Sequence, residues 1–354
     1  MKNLSRLGLV VLASVAALVV SASALAAFTS PKLTVTSTNQ TPGQAGSVTI
    51  RAEQVKEDDA PFRLTIYVPL GYATQLAVAD QTQIGTVVAQ AQANAISPDA
   101  ILELTGPIRI DTTFTATEYP AAAACLTGTG VTSPVVFRLE LTAAGQTLIV
   151  PMYVAPIASG PEAAFASAKL ITCLPSPYVP QAAGGAAFGA KLINANLTFP
   201  TVFTNPTSTG ELRWRSIWTP YTVGTQAPNA AATVESDALA PSQARLTVRA
   251  GTYNKRTKRL AVSGSLTRGG AGGPGTVNVI VNGKRLARVQ AGANGSFRAS
   301  LRITKKGRYT LRATASAQAS ETTGCTAVFP GVNCLRTTQA GFSAVSALVR
   351  FRVR

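Results

Sequence analysis

SFRASLRITKKGRYTLRATA, residues 296–315, alternates apolar and polar side chains in two runs with one turn between them. In the first run Phe297, Ala299, Leu301 and Ile303 share a parity against Arg298, Ser300, Arg302 and Thr304. After Lys305-Lys306-Gly307, the second run sets Tyr309, Leu311 and Ala313 against Arg308, Thr310 and Arg312. Successive side chains of a strand point to opposite faces, so a period of two reads as a half-buried β-strand with its apolar row inward. Each of these strands therefore presents arginines to the outside.

The same punctuation continues on both sides. RLTVRA (245–250), the basic turn YNKRTKR (253–259) and LAVSGSLTR (260–268) come before it, followed by TVNVIVNG (276–283) and KRLARVQ (284–290). Asn282-Gly283 is a strong hairpin signal. SALVRFRVR (346–354) closes the unit, with Val349, Phe351 and Val353 inward and Arg350, Arg352 and Arg354 outward. These strands predict a seven-stranded sandwich over residues 245–354. Upstream, strand patterns include SVTIRAEQV, FRLTIYVP, VVFRLELT, TLIVPMYV, AKLITCL, AKLINANLTF and ELRWRSIW, and no long stretch holds a 3.6-residue apolar period. The fold class expected is all-β with two domains: a large β-sandwich over 27–237, a linker at 238–244 and the basic sandwich at 245–354. PNAAATVESDALAPSQA (228–244), poor in bulky apolar residues and holding two prolines, carries the linker reading. KEDDAP (56–61) reads as a solvated turn rather than a calcium loop, because its acids lack the spaced ligand pattern.

Residues 1–26 have a basic n-region at Lys2 and Arg6, an apolar run Leu7–Val20 and an Ala24-Leu25-Ala26 cleavage site, the pattern of a secretory signal peptide. A secreted, extracellular and wall-associated chain is the expectation. Four cysteines in such a chain read as two disulfides, Cys125–Cys173 and Cys325–Cys334, chosen because each stays within one proposed domain. There is no histidine and no CxxC, so no metal site and no cofactor are expected.

The formal net charge of +17 is unevenly distributed. Residues 1–240 carry 12 Lys and Arg against 14 Asp and Glu, while residues 241–354 carry 20 against the single acid Glu321. A compositional bias of the genome would act on both parts alike. The split therefore marks a part of the chain drawn to acidic partners.

The stretch VIVNGKRLARVQAGANGSFRASLRITKKGRYTLRATASA (279–317) resembles the bacterial immunoglobulin-like modules of secreted actinobacterial proteins, in the pattern VxVNGK…G…NGSFxxxLxxxxGRYTxRATA. The resemblance covers about a third of the chain and implies a fold, since such modules serve as spacers, adhesive units or binding appendages. Residues 186–199 and 203–225 resemble the front half of similar secreted proteins, which implies no activity. In an immunoglobulin-like order the strands at 308–315 and 346–354 are neighbours, so Arg308, Arg312, Arg350, Arg352 and Arg354 share one face.

Catalysis has little to work with. Without histidine there is no imidazole base, no Ser-His-Asp arrangement and no HExxH; GxSxG, SxxK and a phosphate loop are also missing. TRGGAGGPGT (267–276) lies between strands, with no helix after it to receive a phosphate. Glu103, Asp111 and Glu118 are the acids available for a carboxylate pair. Trp214 and Trp218 share a parity in ELRWRSIWTPY (211–221); they are either core residues or a sugar-stacking platform. The expected protein is not an enzyme. It is a structural or adhesive module held on an anionic wall polymer or membrane surface by Lys255, Arg256, Lys258, Arg259, Arg308, Arg312, Arg350, Arg352 and Arg354. Carbohydrate is the second candidate partner and extracellular nucleic acid the third.

Overall fold

The computed structural model describes residues 28–39, 43–113, 122–132, 134–143, 145–207, 212–240, 244–268 and 271–354. The leader and Glu118 lie outside them. The described chain is all-β, with one short helix at Ala122–Leu126 besides single 3-10 turns.

A thirteen-stranded sheet encloses the first core. Its order is Lys32–Ser37, Val48–Glu53, Ala190–Phe199, Gln83–Ala93, Ile101–Asp111, Val135–Ala143, Gln146–Pro156, Ala166–Cys173, Pro61–Pro69, Leu212–Pro220, Val234–Ala240, Asn333–Gln339 and Ser320–Thr323. The sheet rolls until its ends meet: Lys32 pairs with Glu321 at 3.1 Å, and the Thr338 hydroxyl donates to the Leu33 carbonyl at 2.5 Å. The two layers of the first unit are thus parts of one continuous sheet. Inside lie Leu33, Ile50, Ile66, Val68, Ile108, Phe137, Phe199, Trp214 and Trp218, all nearly inaccessible to solvent.

Both tryptophans are core residues with no exposed surface, which removes the sugar-stacking platform. Trp214 packs against Tyr72 and Phe203 at ring-centroid distances of 5.3 and 5.5 Å. The Trp218 indole N–H donates to Ser216 Oγ at 2.9 Å. Ser216 Oγ in turn lies 3.0 Å from Ser236 Oγ, so the two serines and the Trp218 indole satisfy one another.

The sheet's outer face is covered as well. FRLTIYVP was expected to be half-buried, yet residues 61–69 are buried on nearly every position. Leu64, Ile66 and Val68 enter the inner core, while Phe62 joins Cys125, Tyr153, Ile171, Cys173 and Tyr221 in a second apolar cluster outside. The Cys125–Cys173 disulfide ties the helix to that cluster. In the turn at 56–61, Asp58 is buried rather than solvated: its Oδ1 accepts from the Thr29 amide at 2.8 Å and hydroxyl at 2.7 Å.

Two expectations about organisation are overturned. The linker is not a linker. Val234–Ala240 is a strand buried between Leu212–Pro220, antiparallel, and Asn333–Gln339, parallel. Its small residues are what a position covered on both faces requires. Nor does 245–354 stay together, because Ser320–Thr323 and Asn333–Gln339, with the Cys325–Cys334 disulfide between them, belong to the first sheet. A parallel pair needs a long crossover, and here that crossover contains most of a second sandwich.

That sandwich faces a four-stranded sheet (Ala244–Asn254, Arg259–Arg268, Ala271–Gly272, Ser296–Arg302) against a five-stranded one (Lys284–Ala291, Gly275–Val281, Gly307–Ala317, Phe342–Val345, Val349–Val353). Leu246, Val262, Phe297 and Leu301 meet Val277, Val279, Leu311 and Ala313 in one core between them. Gly264 leaves the room that the Phe297 ring fills, since a Cβ there would lie 2.3 Å from Phe297 Cζ. The closing strand of SALVRFRVR is Val349–Val353, and a separate strand, Phe342–Val345, precedes it. Between them Ser346 Oγ accepts the Ala313 amide at 2.9 Å in place of a ladder carbonyl.

Trp218→Ala should cost about 3–5 kcal/mol of unfolding free energy, the usual loss on emptying a large buried aromatic site. Denaturant unfolding followed by circular dichroism checks it; a loss below 1 kcal/mol would contradict the core assignment.

Candidate functional site

In an antiparallel sandwich the chain reverses at each turn, so successive turns fall alternately at the two ends. The ladder registers show the consequence here. Asn254 pairs with Arg259, Val281 with Lys284, Arg259 with Arg302, and Gly307 with Val353. Turns 255–258, 282–283 and 303–306 and residues 352–354 therefore gather at one pole. Hydrogen bonds hold them there: the Ile303 amide donates to the Lys258 carbonyl at 2.9 Å, the Tyr253 hydroxyl to the Ile303 carbonyl at 2.8 Å, and the Asn282 amide to the Thr310 carbonyl at 3.0 Å. Residues 271–275, 291–296 and 317–342 occupy the opposite pole, where the chain passes to and from the first sheet.

The first pole is basic at every turn. Lys255, Arg256, Lys258 and Arg259 meet Lys284 and Arg285, then Arg302, Lys305, Lys306 and Arg308, then Arg352 and Arg354, all of them exposed. With Glu321 and Arg336 assigned to the first sheet, the sandwich itself (244–317 and 342–354) has 19 Lys and Arg and no Asp or Glu. Among the described residues none of the basic residues gathered at this pole makes an ion pair.

Arg308, Arg312, Arg350 and Arg352 stand on the outer face of the five-stranded sheet, where Gly307–Ala317 and Val349–Val353 are hydrogen-bonded neighbours. Arg308 lies directly opposite Arg352, and Arg350 opposite Thr310. Arg354, one residue beyond this strand, lies at the pole. Lys255, Arg256, Lys258 and Arg259 border the other sheet and join the group only at the pole. The arginines thus occupy two outer faces and the pole that links them, not one patch. Lys284, Arg285, Arg302, Lys305 and Lys306 were not singled out from sequence. The signal was there: KR-rich turns alternate with glycine-rich ones.

The two carboxylate candidates that the structure describes do not pair. Glu103 and Asp111 lie on one strand eight residues apart, about 27 Å at the rise of a strand, well beyond the spacing a glycosidase pair requires. Asp111 is buried, accepting from the Thr113 amide at 2.8 Å.

The acids that do come together are Glu235 and Asp237, in the segment first read as a linker. Arg213 donates to Asp237 Oδ2 at 2.7 Å and Arg215 to Glu235 Oε1 at 2.8 Å, and neither acid side chain has exposed surface. The disulfide-clipped loop seals them. The Val328 amide donates to Glu235 Oε2 at 3.1 Å, and Phe329 packs against Tyr67 and Phe165. Burial pushes the Asp237 carboxyl up to about 6; Glu235 adds to the rise, and Arg213 and Arg215 offset only part of it. This is a charge cluster with both acids buried beneath the clipped loop. Beside it Lys169 donates to Glu162 at 2.6 Å, and the Tyr67 hydroxyl donates to the same carboxylate at 2.6 Å.

No protein-family model matches this chain, and no curated protein matches it in sequence.

Two measurements follow from this geometry. Asp237 has a higher pKa folded than unfolded, so the folded state binds the proton more tightly and stability from this group rises as pH falls from 7 toward 4. The gain should be on the order of 2–3 kcal/mol. Asp237→Asn should lose that slope, read as the difference between the two proteins' unfolding free energies at pH 7 and pH 5; parallel profiles would refute it. Arg352→Thr should raise sandwich stability by up to about 1 kcal/mol by removing a like charge opposite Arg308. Thermal melting at low salt checks this, and a lower melting temperature would show that the pair is not repulsive.

Proposed function

We propose that this protein is a non-enzymatic, exported envelope protein whose second sandwich binds anionic surfaces. The observation that carries the reading is the basic pole: four chain segments converge there, each basic, with no acid in the sandwich to neutralise them. Exposed like charges without partners cost stability. A pole assembled from every second turn is more than a solubilising face requires, since solubility is served equally well by mixed charges.

The rest of the molecule supports export. Its four cysteines form two disulfides, which persist in oxidising compartments. No helix among the described residues is long and apolar enough to cross a membrane. The first sheet would then be the structural or adhesive body that the sandwich holds at the surface. The second sandwich's strand order, with first, second and fifth main strands facing fourth, third, sixth and seventh, is similar to that of an immunoglobulin-like sandwich. Carbohydrate recognition through Trp214 and Trp218 has no surface to act through.

The test uses the intact chain, because removing residues 241–354 would strip two strands from the first sheet. Pelleting with purified Gram-positive cell walls should be strong at low salt and fall steeply as salt rises. Replacing Lys255, Arg256, Lys258 and Arg259 together with glutamine should weaken it on the order of tenfold or more. Pelleting that ignores both salt and these substitutions would overturn the proposal.

A further inference from the structure

The basic pole and the two outer faces are not equally accessible to every anionic partner, and this distinguishes a plane from a chain. On the four-stranded sheet, Arg249, Ser263 and Arg298 form a row across three strands, and all three are exposed. On the five-stranded sheet, Arg288 and Arg312 are exposed on the outer face. These four arginines lie four to six residues from the pole along their strands, about 13–20 Å at the rise of a strand. A flat surface seated on the pole leaves them beyond the ~8–10 Å Debye length of physiological salt. A flat surface laid on one face leaves the other face pointing away.

A flexible polymer has neither restriction. The two sheets of a sandwich pack about 10 Å apart, so a chain can cross the pole and run down both faces. The chemistry of the faces narrows the class further. All five lysines of the sandwich are in or beside the three basic turns, and the basic residues at outward face positions are arginines. Guanidinium forks suit phosphate oxygens, while lysine acts as a point charge. Tyr309 and Phe351, the aromatic residues beside the face arginines, stack on one another at 5.4 Å and are half-buried, which leaves the exposed contacts to the guanidinium groups.

Resting on the anion-binding reading above, we infer that the partner is a linear phosphodiester polymer, bound through its phosphates alone, that passes over the basic pole and along both outer faces of the sandwich.

The experiment measures how the affinity of the full chain depends on salt, with three probes: long-chain poly(glycerol phosphate), single-stranded DNA, and vesicles of phosphatidylglycerol in phosphatidylcholine. Two double variants are compared with the parent, R249Q/R298Q on one face and R288Q/R312Q on the other, with thermal melting as the control for folding. For a polymer contacting both faces, each pair should reduce the slope of log K against log salt by about 1.4, and the two losses should add. Vesicle binding should be left unchanged by both pairs. Poly(glycerol phosphate) and single-stranded DNA should show similar slopes, since phosphates alone are read. Polymer binding that one of the pairs leaves untouched would overturn the wrapped path, and binding confined to DNA would overturn phosphate-only recognition. Vesicle binding without polymer binding would replace this inference with a planar one and leave the anion-binding function standing. No binding to any probe at low salt would overturn both.

Discussion

The strand Val234–Ala240 is buried on both faces, and satisfying those two faces organises the molecule. On one side Ser236 and Ala238 lie over Trp214 and Trp218 in the rolled core. On the other, Glu235 and Asp237 require counter-charges and a cover, because an ionised carboxylate without partners is costly to bury. Arg213 and Arg215 on the adjacent strand supply the charges. The cover comes from far along the chain, as the loop clipped by Cys325–Cys334 and the parallel strand Asn333–Gln339. The second sandwich is therefore not a bead on a string: the chain leaves the first sheet, builds most of the sandwich, returns to close the lid and leaves again.

That path also explains the separation of charge. Acids are retained in the part of the chain folded into the first sheet, where several sit in pairs or hydrogen-bonded sites, as Glu53 does with Lys32 and Arg51. Glu321, once counted with the basic part, bridges Lys32 and Arg336 within that same sheet. The sandwich is left with cations alone. Its strands tolerate them because the basic residues of the pole and of the outer faces point to water, while Arg268, on an inward parity at the opposite end, lies over the Phe342 ring and donates to the Ala340 carbonyl. The resulting surface repels itself and attracts polyanions, which is the physical basis of the function proposed.

Much of this was legible in the sequence. Period-two alternation and turn residues are local signals, and they identified the strands at 296–302, 307–317 and 349–353 with the correct faces. Cysteine count and the wish to keep each bridge local were enough for both disulfides. VESDALA escaped because its pattern of small and charged residues looks like a solvated linker. A strand covered on both faces can show the same pattern when arginines elsewhere meet its acids. Arg213 and Arg215 take the parity opposite Trp214 and Trp218 in ELRWRSIW, and the clipped loop covers part of that face, with Arg215 donating to the Thr326 carbonyl.

The sequence by itself determined the fold class, the strand faces of the second sandwich and the scarcity of acids in the last third of the chain, because each is read from composition or from neighbours within a few residues. Only the tertiary structure decided which strands share a sheet, that residues 320–339 complete the first one, and that four basic segments meet at a single pole. Those outcomes depend on pairings between strands separated by tens or hundreds of residues, to which local pattern is blind.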